Sequence, residues 1–388
     1  MKKILFLPLF RMQSGHHQVA EALMDMLKKH TSGVTLKKVD LLSYTSNSLE
    51  KMITTGYLKW IRFAPETYNL AYKNLFYVSL PKERSFKWYQ HIFLKKMEQL
   101  IAEEKPDLIV CTHGFPSYLL SQLKIKGKCN IPIINVYTDF FINNVWGSKG
   151  IDFHFLPTQE LKEKLIIKNQ IPKHSMRVTG IPVHEEITKR ARGLKNEDRP
   201  KILISGGNSG LGGILNLEDE LKKSTDCDYF VLCGNNKKLY DAIDTWDLAH
   251  INPLPYISSR SEMNKLYEEV DAIVTKPGGV TISEALRKRL PIFVHSMLPG
   301  QEEINLQYLK DHKLVFELNH NLSFEKQILS ILKDHKKMDQ WDISIESYQK
   351  EIELEKPEGM VEVMKLILNL RQASKPSYLT NQSKVIYS

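Results

Sequence analysis

Two histidines, an aspartate and three glycine- or amide-containing loops are the groups in this 388-residue chain whose types and spacing could do chemistry. His16 and His17 follow the apolar run Ile4 to Leu9 and open a helical pattern in which Val19, Ala22, Leu23 and Met26 share one face. A histidine at such a strand-to-helix junction lies at the carboxyl edge of a parallel sheet, where ligands bind. As neutral imidazole it can take a proton from an attacking hydroxyl, more readily when a carboxylate orients it. Asp139, in Tyr137-Thr138-Asp139-Phe140, follows another apolar run and is expected on the same edge. The plainer reading of either histidine is a helix-capping or surface residue, with Ser14 or Gly15 as the cap.

The second chemical element is Val274-Thr275-Lys276-Pro277-Gly278-Gly279-Val280-Thr281-Ile282-Ser283-Glu284-Ala285-Leu286, which reads as strand, tight turn and helix. Glycines at 278 and 279 let a ligand reach the main chain, and the unpaired N–H groups of the helix start favour an anion such as a diphosphate. Glu284, one turn in, would repel a phosphate in contact but could accept from the vicinal hydroxyls of an attached ribose. An ordinary α/β strand-to-helix turn is the alternative. Gly206-Gly207-Asn208-Ser209-Gly210 is a further turn whose main-chain N–H groups could approach a phosphate or a sugar. Leu298-Pro299-Gly300-Gln301-Glu302-Glu303-Ile304-Asn305 gathers amides and carboxylates that suit sugar hydroxyls, or else forms a polar helix N-terminus. Neither a G-x-G-x-x-G order nor a P-loop is present, which argues against nicotinamide cofactors and ATP hydrolysis.

Strand-like runs separated by helical ones position these loops. They fall at Ile4 to Leu9, Val34 to Leu42, Asp107 to Cys111, Ile131 to Tyr137, Ile151 to Leu156 and Met176 to Thr179, with a helix from about Thr158 to Lys168. A charged passage, Lys189 to Pro200, marks a boundary. A second series follows at Lys201 to Ser205, Tyr229 to Cys233, His250 to Pro253, Asp271 to Thr275, Pro291 to His295 and Leu314 to Glu317. Strands linked by helices imply parallel βαβ units, and two such halves imply an α/β protein of two doubly wound, Rossmann-like domains. The expected division is residues 1–180, 181–370 and a polar tail 371–388.

A 42% hydrophobic, 26% charged composition is that of a folded soluble protein. The apolar start is interrupted from Arg11 and Gln13 and reads as a buried strand, not a leader, and no window approaches the ~20 apolar residues of a spanning helix. The four cysteines lack metal or redox spacing and read as reduced, buried thiols. A formal charge of +9 favours an anionic partner. Much of it lies between Lys51 and Lys96, where Trp60, Arg62, Lys82, Arg84, Lys87 and Trp88 belong to a basic, aromatic insertion. Such interleaving fits an interfacial helix on an anionic bilayer, or else helices packing aromatic faces onto the sheet. No RNA-binding signature accompanies it, so nucleic acid is not expected as a partner.

Five ordered stretches together carry a resemblance over nearly all of residues 1–370: Ser14 to Ala20, Val136 to Phe140, Thr179-Gly-Ile-Pro182, Thr275-Lys-Pro-Gly-Gly279 running to Ala285, and Pro299-Gly-Gln-Glu302 with Asn305. In these the chain resembles the glycosyltransferase family that contains bacterial processive diacylglycerol glucosyltransferases and plant monogalactosyldiacylglycerol synthases, distant relatives of the peptidoglycan N-acetylglucosaminyltransferase. The resemblance implies a two-domain B-type glycosyltransferase fold, with the lipid acceptor on the N-terminal domain and the nucleotide sugar mainly on the C-terminal one. It puts His16 in the place of the base; Gly278, Gly279, Val280 and Thr281 at the diphosphate; Glu284 at the ribose; and Gln301 and Glu302 at the hexose. The turn before His16 is thin in glycine, and His184 stands where relatives often carry arginine.

The expectation is therefore an inverting transferase moving a hexose, glucose foremost, from a UDP-sugar to a lipid such as diacylglycerol. It would work without metal or other cofactor, in the cytoplasm, peripheral on the inner face of the cell membrane. A UDP-sugar epimerase, a nucleotide-sugar-binding regulator without turnover and a transferase to a soluble acceptor are the alternatives.

Overall fold

The apolar runs pair into two wholly parallel sheets in a computed structural model that describes residues 1–9, 14–73, 87–189, 199–206 and 214–373. The first sheet has six strands: β1 (Lys2–Leu7), β2 (Val34–Lys38), β3 (Leu108–Cys111), β4 (Ile133–Val136), β5 (Phe153–Leu156) and β6 (Met176–Val178). Their spatial order is β2-β1-β3-β4-β5-β6, so β1 has β2 on one side and β3 on the other. The winding reverses at β1, and its carboxyl end is where an open parallel sheet leaves a crevice. The second sheet comprises β7 (Lys201–Ser205), β8 (Asp228–Leu232), β9 (Ile251–Leu254), β10 (Ala272–Thr275), β11 (Ile292–Val294) and β12 (Phe316–Glu317). Its order, β12-β11-β10-β7-β8-β9, reverses between β7 and β10, beneath the Gly206 and Gly278 loops. The central strands are buried on both faces, as helix-covered parallel strands must be: Ile4 to Leu7, Leu108 to Cys111 and Ala272 to Ile273 are 0% exposed.

The expected second strand, Val34 to Leu42, ends early, at Lys38. Asp40 caps a short helix, Leu41–Thr45, its carboxylate accepting from the N–H of Leu42 at 3.2 Å and of Ser43 at 3.1 Å. All four cysteines are free and buried.

The chain divides into two units, Met1–His184 with the segment from Glu351 onward, and Glu185–Lys350. The sequence places residues 351–370 with the second half; the structure returns them to the first. Glu353 is the reason. Its N–H donates to Val178 O at 2.8 Å, its carboxylate accepts from the Val178 N–H at 3.1 Å, and it pairs with Lys162, whose side chain is 3% exposed. The helix Pro357–Ala373 then buries Met360, Val361, Met364 and Leu368 and is tied to the Gly15–His30 helix by Lys365 Nζ donating to His30 O at 2.8 Å. Residues 371–373, expected in the tail, extend this helix.

Among the described residues of the basic insertion run the helices Asn47–Phe63, Pro65–Tyr72 and Lys87–Glu104. Tyr68, Tyr72, Phe93, Met97 and Leu100 turn inward. Met52, Trp60, Phe63, Leu70 and Ile92 stay exposed. The insertion thus has a packed face and an apolar outer one. Lys82 and Arg84 lie outside the described residues, as do Gly207, Asn208 and residues 374–388, and the side chains of Arg62, Lys87 and Trp88 are likewise not described.

Candidate active site

In the first unit the site is built on the carboxyl ends of β1, β3 and β4. The Gly15–His30 helix starts directly after the β1 loop and puts His16 in its first turn. Its imidazole Nδ1 lies 2.9 Å from the Thr112 carbonyl oxygen, just past β3, and 2.8 Å from Thr138 Oγ1, just past β4. A carbonyl oxygen can only accept, so Nδ1 carries the proton and donates. The same N–H is shared with the Thr138 hydroxyl oxygen, and Nε2 is left with its lone pair. Nε2 makes no hydrogen bond among the described residues.

Thr112 Oγ1 in turn donates to the His16 carbonyl at 2.9 Å, clamping the two segments reciprocally. His113 lies edge-on to His16, with ring centroids 4.6 Å apart. It caps the Gly114–Ile125 helix by accepting from Phe115 N–H through Nδ1 at 3.0 Å, which puts its own proton on Nε2. Burial lowers the His16 pKa to about 4, opposed by the Thr112 hydrogen bond and assisted by His17. His113 is pushed well below the usual range by burial and by His16. Both rings are therefore neutral at pH 7, the form a proton acceptor needs. Asp139 is half-buried in the bend after β4, next in sequence to Thr138, while His17 is buried at 6% exposure. The orienting groups on His16 Nδ1 are thus a carbonyl and a hydroxyl, where the sequence suggests a carboxylate.

In the second unit the Gly279–Arg287 helix begins with Gly278 as its cap and no side-chain capping bond. The N–H groups of Gly279, Val280 and Thr281 make no hydrogen bond among the described residues, since the helical ladder opens with Ile282 N–H to Gly278 O at 3.1 Å. Gly278 has φ −84° and ψ 137°, open to any residue, and an added Cβ would meet nothing within 4 Å. The fold does not demand glycine there; a ligand approaching the N–H groups would.

Glu284 is 7% exposed and takes a hydrogen bond from Tyr267 Oη on Oε2 at 2.8 Å. Burial raises its pKa, against the Tyr267 bond and the nearby Arg260 charge. Tyr267 and Arg260 belong to the Arg260–Glu269 helix, for which the motif itself holds no signal. Gln301 and Glu302 form the first turn of the Gln301–Asp311 helix behind Gly300, whose φ of 85° suits glycine, and Asn305 is buried one turn further on. Glu302 bridges two loops: Oε1 lies 2.9 Å from Lys276 Nζ and Oε2 accepts from Leu298 N–H at 2.6 Å. The Gly-Gly loop and the Gln-Glu loop are thereby locked together. Lys276 sits within the motif, but the bridge shows only in three dimensions. Gly206 follows β7 on the same edge of this sheet and is buried.

Comparisons with known proteins bear on the family and the fold. The family profile described as monogalactosyldiacylglycerol (MGDG) synthase matches residues 16–183. The uncharacterized glycosyltransferase YkoN of Bacillus subtilis is 39% identical over 90% of this chain and 93% of its own length. The processive diacylglycerol β-glucosyltransferase of Staphylococcus saprophyticus is 30% identical over 77% and 76%. Among solved structures, Acinetobacter baumannii MurG superposes at a TM-score of 0.58 over 94% of this chain and 100% of its own, with 13% identity, a likeness of fold alone. The two parallel six-stranded sheets with covering helices make this the B-type glycosyltransferase fold expected from the sequence.

Proposed function

Because the chain belongs to the glycosyltransferase family of the processive diacylglycerol β-glucosyltransferases, we propose that it moves a hexose, glucose foremost, from a UDP-sugar to a hydroxyl of a diacylglycerol-type lipid, with inversion. The observation that carries this reading is the committed Nδ1–H of His16, which leaves Nε2 as a neutral proton acceptor. The acceptor hydroxyl gives its proton to Nε2 while its oxygen attacks the anomeric carbon from the face opposite the diphosphate. The bond from that carbon to the diphosphate oxygen breaks, and the leaving UDP gathers the negative charge. The N–H groups of Gly279, Val280 and Thr281, without a hydrogen-bond partner among the described residues, and the helix dipole would offset that charge with no divalent ion. Glu284 Oε1 would take the ribose hydroxyls, and Gln301, in the first turn of the Gln301–Asp311 helix, would meet the hexose.

The acceptor reading draws on the insertion. Met52, Trp60, Phe63 and Leu70 are exposed on two consecutive helices with Lys51 and Lys59 beside them, the mixture that settles at an anionic headgroup layer. Among the described residues no helix is long and apolar enough to cross a membrane. Attachment would be peripheral, through this face.

The test is labelled UDP-glucose incubated with diacylglycerol in anionic vesicles, with and without a chelator, read by thin-layer chromatography. Labelled glycolipid should form equally with chelator, and His16→Ala should lower turnover by roughly 10²–10⁴ while leaving UDP affinity unchanged. A new sugar nucleotide formed from donor alone would make the protein an epimerase. Product on soluble acceptors only would remove the lipid, and no product on any acceptor would leave a binding protein.

A further inference from the structure

We propose that Thr138 is a positioning residue for His16: together with the Thr112 carbonyl it holds the imidazole as the Nδ1–H tautomer, a neutral oxygen pair standing where a carboxylate is the familiar partner. The proposal rests on the reading of His16 as the base that activates the acceptor. Its geometry is a three-centre hydrogen bond. Thr112 O at 2.9 Å must accept, so Thr138 Oγ1 at 2.8 Å accepts from the same N–H and turns its own proton elsewhere. Thr138 is 4% exposed and Thr112 0%, so water does not compete for the Nδ1–H.

The two oxygens come from different strands, β3 and β4, and fix the ring in two directions. A half-turn about the Cβ–Cγ bond would exchange Nδ1 for a carbon and lose both bonds. The Thr112 hydroxyl bond to the His16 carbonyl at 2.9 Å holds the backbone below, and the His113 ring closes one side at 4.6 Å. When Nε2 takes the acceptor proton, the ring becomes an imidazolium whose Nδ1–H already points at two oxygen dipoles. They stabilise that cation with no solvent or side-chain rearrangement. A neutral pair does so without holding the resting imidazole protonated.

The experiment uses the full-length protein with ¹⁵N-labelled histidine, where long-range proton–nitrogen correlations report the tautomer of each ring without turnover. Wild-type His16, assigned by the loss of its signals in His16→Gln, should show the Nδ1–H tautomer. Thr138→Val and the smaller Thr138→Ala should shift it toward an exchanging mixture and lower kcat roughly 10–100-fold with KM for both substrates within about two-fold. Thr138→Ser, which restores the hydroxyl, should restore both. An Nε2–H tautomer in the wild type overturns the proposal. So does an unchanged tautomer and kcat in Thr138→Val and Thr138→Ala, or a folded Thr138→Ser that stays impaired. An Nδ1–H ring in a protein that glycosylates nothing would instead remove the transferase reading, so the two failures are told apart.

Discussion

At the scale of single residues, the proposed donor site rests on what is missing. Gly278 has backbone angles any residue can adopt and open space where a Cβ would stand. Gly278→Ala should therefore fold with stability within about 1 kcal/mol of wild type, the range of a helix-cap change, yet weaken UDP binding at least ~10-fold if the proposed diphosphate seat is right, because the methyl would then stand against it. Calorimetry beside a thermal melt checks this, and wild-type affinity in the variant would remove the phosphate from this turn. The glycines were visible in the sequence. The Tyr267 bond to Glu284 was not, since a tyrosine within a helix reads as core until the partner helix lies against it.

At the scale of elements, most boundaries followed from local chemistry. Thr158 caps the Gln159–Asn169 helix through its hydroxyl, Asn236 and Ser259 cap two more, and Asp40 ends the second strand. The ownership of the C-terminal helix did not follow, because an amphipathic helix with Met360, Met364 and Leu368 on one face fits either sheet. The Glu353 and Lys162 pair settles it. Glu353→Ala would leave a lysine with a 3% exposed side chain without its carboxylate, and should cost about 3 kcal/mol of first-unit stability. Urea unfolding followed by hydrogen exchange of first-unit peptides measures that loss; an unchanged midpoint would mean the pair does not hold the helix in place.

At the scale of the whole molecule, histidines held neutral by the fold make acid the weak point, and unequally so. In the first unit burial lowers the His154 pKa to about 3 and that of His16 to about 4, and His113 is also well below the usual range. These rings stay neutral in the fold but charge in the unfolded chain near pH 6.5, so their contribution is complete above pH 6.5 and is lost as pH falls toward 4. For the fully buried His154 the loss is about 1.4 kcal/mol per pH unit across that window. The second unit has His295, lowered to about 4, and also Glu284, whose raised pKa works the other way: its protonation on acidification favours the fold. Hydrogen exchange at pH 7 and pH 4.5, corrected for intrinsic rates, should show first-unit peptides losing protection before second-unit ones. The reverse order, or none, would contradict this assignment of the titrating groups. The sequence by itself determined two doubly wound halves, the glycine turns and the strand-to-helix junction that carries His16, because periodicity, caps and turn glycines act over a dozen residues or fewer. Only the tertiary structure decided what those groups touch. Thr112 and Thr138 reach His16 across 96 and 122 positions, and Lys162 reaches Glu353 across 191. Such contacts exist only when strands distant in the chain lie side by side, an order set by which apolar faces bury one another and not by any local signal.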